Sequence, residues 1–122
     1  MMTLLLLTLP STSPIAWHAL KLAQSLIHAQ HTVQVFFYQD AVTIANGLSW
    51  RPQDEPSLGQ EWQGLGIDLP VCVTAALNRG ITDEDNAKRH QLSTTNLLPG
   101  FRMAGLGELA DAMMIAERTL QF

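Results

Sequence analysis

Thr3–Leu9 is an apolar run of strand length, closed by Pro10 and the turn-forming STSP segment. A strand apolar on both faces belongs inside a sheet that carries helices. Pro14 suits a first helical turn with Ser13 as N-cap. Ala16, Leu20, Ala23 and Ile27 then recur at helical spacing, with Lys21, Gln24 and His28 elsewhere on the wheel, so a helix is predicted to near Gln30. Val33–Tyr38 is β-branched and aromatic and predicts a second strand. Asp40 can cap a short helix through Ala45, stopped by Asn46-Gly47. Ser49–Leu58, rich in proline and charge, reads as a surface loop, and Leu58–Leu65 as a short helix carrying Trp62.

Leu69–Val73 is the predicted third strand, and Ala75–Asn78 a helix stopped by Gly80. Thr82 followed by Asp83, Glu84 and Asp85 has the form of a capped helix start with acids in its first turn, and Lys88 and Arg89 fall near its end. Phe101–Ala104 predicts a fourth strand, Gly107–Ala116 a helix and Arg118–Phe122 a closing strand. The order β-α-β-α-α-β-α-α-β-α-β implies a three-layer α/β fold: a mainly parallel sheet of about five strands, right-handed crossovers and helices on both faces. Sites in such folds form outside the carboxyl ends of the strands. No repeat, low-complexity tract or linker divides the chain, so residues 1–122 are expected to form one domain.

Composition narrows the function. The chain is 47% apolar and only 15% charged, a thin polar cover that suggests surface hidden against another subunit. A net charge of −4 with seven scattered basic residues argues against a direct grip on nucleic acid. The apolar start has no preceding Lys or Arg and no A-x-A-like cleavage site after it, and no segment reaches the ~20 apolar residues of a membrane span, so a cytoplasmic protein is expected. One cysteine excludes an internal disulfide and any Cys-based metal site built by this chain alone.

That cysteine, Cys72, lies near the end of the third strand and just before a helix. Free N–H groups at a helix N-terminus favour thiolate over thiol, and Arg79 could add to the same field if it folds back. Free cysteines are nevertheless mostly buried packing residues, and composition alone favours that reading. A redox-active Cys72 would have no resolving thiol on its own chain and would have to pass sulfur or electrons to another protein. His18, His28, His31 and His90 form no ligand pattern, although His90 could serve as a base if the fold brings it to Cys72. The STSP loop has no glycine and matches no phosphate-binding signature, and no G-x-S-x-G elbow occurs. Asp83, Glu84 and Asp85 read as a solvated helix start, and Trp17, Trp50 and Trp62 as core or interface anchors. No metal and no cofactor are expected.

Four segments together resemble the DsrE-like sulfur-relay (TusD/DsrE) family: FFYQDAVTIAN (36–46), VCVTAALNRGITDE (71–84), STTNLLPGF (93–101) and GLGELADA (105–112), with the ending RTLQF. They occur in the family's order across nearly the whole chain, and the C-V-x-A-A-L-x-R-G run is the most specific. The resemblance implies a DsrE-like fold and a sulfurtransferase carrying sulfur as a persulfide on Cys72. It implies TusB-like and TusC-like partners in a heterohexamer, a TusA-like donor and a TusE-like acceptor, serving 2-thiolation of the tRNA wobble uridine. Ser93 and Asn96 lie in a family-like segment and are expected to border the site. The alternatives are a DsrE-like role in dissimilatory sulfur oxidation and a non-catalytic α/β module with a buried cysteine. The chain departs from the family where TLPSTSP stands for a T-G-P-x-x-G loop and where the segment from Trp62 to Cys72 is shorter.

Overall fold

The computed structural model describes residues 2–122. Its strands are β1 (Met2–Leu7), β2 (Thr32–Phe37), β3 (Leu69–Cys72), β4 (Phe101–Ala104) and β5 (Arg118–Gln121). They form one sheet in the order β4-β3-β2-β1-β5, and every pairing is parallel. The helices are α1 (Pro14–His28), α2 (Leu58–Gln63), α3 (Val73–Asn78), α4 (Glu84–Arg89) and α5 (Leu106–Ile115), with a 3-10 helix at Gln39–Ala45. The element order is the one the hydrophobic pattern predicts.

Local chemistry explains the boundaries. Ser13 Oγ accepts the Ile15 N–H and Pro14 fills the first turn of α1, whose chain then turns out through Gln30 at a φ of 64°. Ser57 and Asp83 cap α2 and α4, the Asp83 carboxylate accepting both the backbone N–H and the side-chain amide of Asn86. Thr82, next to that cap, instead donates its hydroxyl to the Asp83 carbonyl at 2.9 Å. β1 stops at Leu7 rather than Leu9, and the Thr8 N–H donates to the Phe122 carbonyl at the end of its pairing with β5.

β1 pairs with β2 on one side and β5 on the other, and Leu4, Leu5 and Leu7 are buried, which is why this strand is apolar on both faces. Phe37 of β2 meets Trp62 of α2 edge-on at 5.4 Å and Phe101 of β4 at 5.2 Å. Three elements remote in sequence are thus joined by aromatic contacts, each stabilising by about 0.5–1.5 kcal/mol beyond its area burial.

Side chains alternate across a strand, and register partners share a face. Val33, Val35, Phe37, Val71 and Phe101 therefore point to one face, and Leu4, Gln34, Phe36, Pro70, Cys72, Arg102 and Ala104 to the other. From β1 to β4 the chain steps in one direction across the sheet, so right-handed crossovers put α1 through α4 on the Phe37 face. Only the return from β4 to β5 crosses the other way. Among the described residues α5 is the one helix on the Cys72 face, where it buries Leu109 and half-buries Ala112 and Ala116. Gln34 and Arg102 on that face stay exposed.

Gly59 in α2 marks a close approach: a Cβ there would lie 2.5 Å from the Ile44 carbonyl oxygen and 2.6 Å from Leu98 Cδ1. Gly59→Ala is expected to lower stability by about 1–3 kcal/mol. Gly64→Ala, at a position with helical φ/ψ and nothing nearer than 3.5 Å, should stay within about 0.5 kcal/mol of the parent. Equal urea midpoints for the two variants would refute the close-packing account.

Candidate functional site

Cys72 is the last residue of β3 and the N-cap of α3, with φ −58° and ψ 117°, paired in register with Ala104. The helix begins at the very next residue, sooner than the apolar pattern predicts, because the strand-like Val73 is already its first helical residue. Cys72 is 2% exposed and, among the described residues, its thiol makes no hydrogen bond. Strand alternation puts it on the α5 face, at the carboxyl end of the sheet.

α3 is six residues long and is held by contacts from outside it. Arg79 at its C-cap folds back and donates from Nη1 to the Ala75 carbonyl at 3.0 Å. Its Nε and Nη2 both reach Asp40 Oδ1, at 3.1 and 3.0 Å. Arg79 thus returns over the helix as expected, but its charge is answered by Asp40, which lies in the first turn of the 3-10 helix after β2 and is not its cap as the sequence suggests: Tyr38 is the N-cap and no side chain bonds there. The 3-10 helix in turn packs on both α3 and β3.

Asn96 fastens the other end. Its Nδ2 donates to Asn46 Oδ1 at 2.9 Å and to the Gly80 carbonyl at 3.0 Å, while its Oδ1 accepts the Thr82 N–H at 2.9 Å. Its backbone N–H bonds to the Thr82 carbonyl, and its own carbonyl accepts the Gly47 N–H. One side chain therefore ties together the end of the 3-10 helix, the turn leaving α3 and the loop after α4. These bonds hold the turn that leaves α3, at the end of the helix away from Cys72, and among the described residues no hydrogen bond joins Asn96 to the cysteine. Ser93 lies exposed three residues earlier in the same loop. Asn46 and Asp40 were read from sequence only as helix punctuation, since their partners lie 50 and 39 residues away.

The other candidates disperse. His90 is exposed at the C-cap of α4, and among the described residues no hydrogen bond joins it to Cys72. His18 and His28 are exposed on α1, and no group of three His, Cys, Asp or Glu residues among those described is placed to hold a metal ion. Asp83, Glu84 and Asp85 form the cap and first turn of α4, with Glu84 3.5 Å from Lys88 one turn on. Trp62 is core, whereas Trp17 and Trp50 line a cleft of about 590 Å³ together with Ser11, Thr12 and Arg51. Cys72 does not line that cleft.

On the Cys72 face, Arg102 makes two 2.7 Å bonds to the Asp68 carboxylate and two 2.9 Å bonds to that of Glu108. The triad ties the start of β3 to β4 and to the first turn of α5. The hydrogen bond from Arg102 holds the Asp68 carboxyl below the usual carboxylate range, against an opposing push from partial burial. A folded pKa below the unfolded one contributes stability above pH ~4 that is lost as pH falls through the folded value.

All three groups are well exposed. Asp68→Asn should therefore cost only about 0.5–1 kcal/mol at pH 7, and progressively less as the pH falls below ~4, by urea unfolding at each pH. A deficit that persists at acid pH would refute the ionic account. Asn96→Ala strands the Thr82 N–H and the Gly80 carbonyl, and is expected to cost about 1–3 kcal/mol and to speed alkylation of Cys72 in the native protein. An unchanged alkylation rate would separate Asn96 from the cysteine.

The whole chain shares its fold with the ychN protein from E. coli: the superposition covers 99% of this chain and 97% of that one, with a TM-score of 0.75 at 24% identity. This places the molecule in a class of five-stranded parallel α/β domains. Residues 2–122 match the profile of the DsrE/DsrF-like family, and the chain belongs to that family. A protein of Vibrio parahaemolyticus named sulfurtransferase TusD homolog is 49% identical over 109 residues, 85% of this chain and 83% of that protein. Sulfurtransferase TusD of Yersinia pestis is 43% identical over the same length and shares.

Proposed function

We propose that this chain is a sulfurtransferase in which Cys72 is the sole covalent sulfur carrier. Relatives named sulfurtransferase, alike over most of both chains, support the activity. The observation that carries the residue assignment is the position of the only cysteine, at the carboxyl end of an interior strand and the N-cap of a helix. Ligands of open α/β sheets bind at that end.

The chemistry is two exchanges. The Cys72 thiolate attacks the terminal sulfur of a donor persulfide, so that a Cys72 S–S bond forms, the donor S–S bond breaks and the donor leaves as thiolate. An acceptor thiolate then attacks the terminal sulfur on Cys72, taking it and returning Cys72 as thiolate. No electrons are gained or lost overall and no cofactor enters. A second cysteine would compete by closing an intramolecular disulfide, and this chain has none. Because Cys72 is 2% exposed, exchange requires its surroundings to shift when a partner docks.

In this reading residues 1–122 are a single DsrE-like sulfurtransferase domain of a cytoplasmic relay. It assembles with TusB-like and TusC-like subunits into a heterohexamer, receives sulfur from a TusA-like donor and delivers it to a TusE-like acceptor for 2-thiolation of the tRNA wobble uridine. The TusD names of the relatives favour this route over dissimilatory sulfur oxidation. The scattered basic residues fit a subunit that hands on sulfur without touching the tRNA.

The burial of Cys72 favours one competing reading, a binding module with an inert thiol. Incubation with a persulfide donor followed by mass spectrometry decides between them. A gain of one sulfur mapped to Cys72 and absent from Cys72→Ser is expected. Sulfur uptake by Cys72→Ser, or a native thiol that neither takes sulfur nor alkylates while the unfolded chain alkylates fully, would overturn the proposal.

A further inference from the structure

α5 carries two apolar stripes. Leu109, Ala112 and Ala116 face the sheet, buried or half-buried. Leu106, Ala110, Met113 and Met114, spaced i, i+4, i+7 and i+8, form a second stripe that faces outward, with Met113 48% and Met114 85% exposed. A helix bearing only the first stripe would complete this fold, so the second needs another partner.

The sheet beside α5 is also short of cover. A groove of about 350 Å³ runs along the helix, lined by Gln34, Pro70, Arg102, Asp111 and the exposed Ile115. Parallel sheets are ordinarily covered on both faces.

Charge indicates what completes it. From Met103 to Ala116 there is no Lys or Arg, while Asp111 borders the stripe and Glu108 lies on the groove side of the helix. Arg102 answers Glu108, and Asp111 has no ion pair among the described residues. If a second copy packed its α5 here across a two-fold axis, the two Asp111 carboxylates would be drawn together with no cation to meet them. An unlike chain presenting apolar side chains flanked by Lys or Arg meets both features.

We infer that the outer face of α5, continuous with the groove beside it, docks an unlike subunit whose apolar surface is bordered by basic residues. The occupant sits on the same face of the sheet as Cys72, whose register partner Ala104 lies two residues before α5. The inference rests on the relay reading for its partners.

The test co-expresses the chain with the TusB-like and TusC-like subunits and follows assembly by size-exclusion chromatography with light scattering. Sulfur loading of Cys72 is measured in parallel. The double variant Met113→Glu/Met114→Glu, at exposed positions, is expected to weaken the mixed complex at least about tenfold while the isolated variant keeps its thermal midpoint and loads Cys72 from a small persulfide donor. Asp111→Lys should also weaken it, and the parent chain alone should remain monomeric.

A mixed complex indifferent to the double variant overturns the α5 assignment alone, and one that Asp111→Lys strengthens overturns the basic border. A homodimer of the parent that the double variant dissolves makes the occupant a second copy. A parent chain that loads sulfur but forms no mixed complex overturns the partner reading and the docking inference with it.

Discussion

A right-handed crossover leaves its helix on one face of a parallel sheet, and the choice of face follows from the direction in which the chain steps. This chain steps the same way three times, from β1 to β4, and returns once to β5. The core is therefore lopsided. One face receives α1, α2, α3, α4 and the 3-10 helix and is sealed by the Phe37–Trp62–Phe101 contacts, whereas the other has α5 to cover it. The same step count sets the places of Cys72 and of the outward apolar stripe.

The thin polar cover read from composition thus acquires a location. In a self-sufficient domain, exposed apolar residues are scattered singly. Here Leu106, Met113, Met114 and Ile115 gather on one ten-residue helix, and Leu48 and Trp50 on one loop. The sheet-facing stripe of α5 is built from Leu109 and two alanines, which allows the helix to lie close to β1 but buries little area. A helix so lightly anchored gains from a second surface that clamps it from outside.

How much of this was legible in the sequence depends on the range of the interaction. Strand and helix order follows from local periodicity and from caps such as Ser13 and Asp83, whose partners lie two or three residues away. The family was legible too, because its most specific run surrounds Cys72 and spans the β3–α3 junction. Asn96 was placed near the site only by resemblance. Its role comes from hydrogen bonds to Asn46, Gly80 and Thr82, which exist only after three loops converge. The reach of Arg79 to Asp40 was half legible: a return over α3 is a local matter, but the carboxylate that receives it comes from the end of another strand. The second stripe of α5 was overlooked because its helix is apolar on most of its circumference, so periodicity alone does not say which side meets the sheet.

The burial of Cys72 bears on the proposed chemistry in both directions. A terminal persulfide sulfur is open to attack by any thiolate that reaches it, so a carrier that held it in solvent would lose it to small thiols. A carrier that held it in a rigid core could neither load nor unload. The β3–α3 junction that holds Cys72 lies between these limits. α3 is only six residues long, and what fixes it are the half-exposed Arg79–Asp40 pair and the amide of Asn96 in a loop. Such bonds individually contribute little more than about 1 kcal/mol net, which a docking surface can replace with contacts of its own. A short helix held through polar ties at the carboxyl end of the sheet lets partner binding rather than diffusion of small thiols decide when the sulfur is reached.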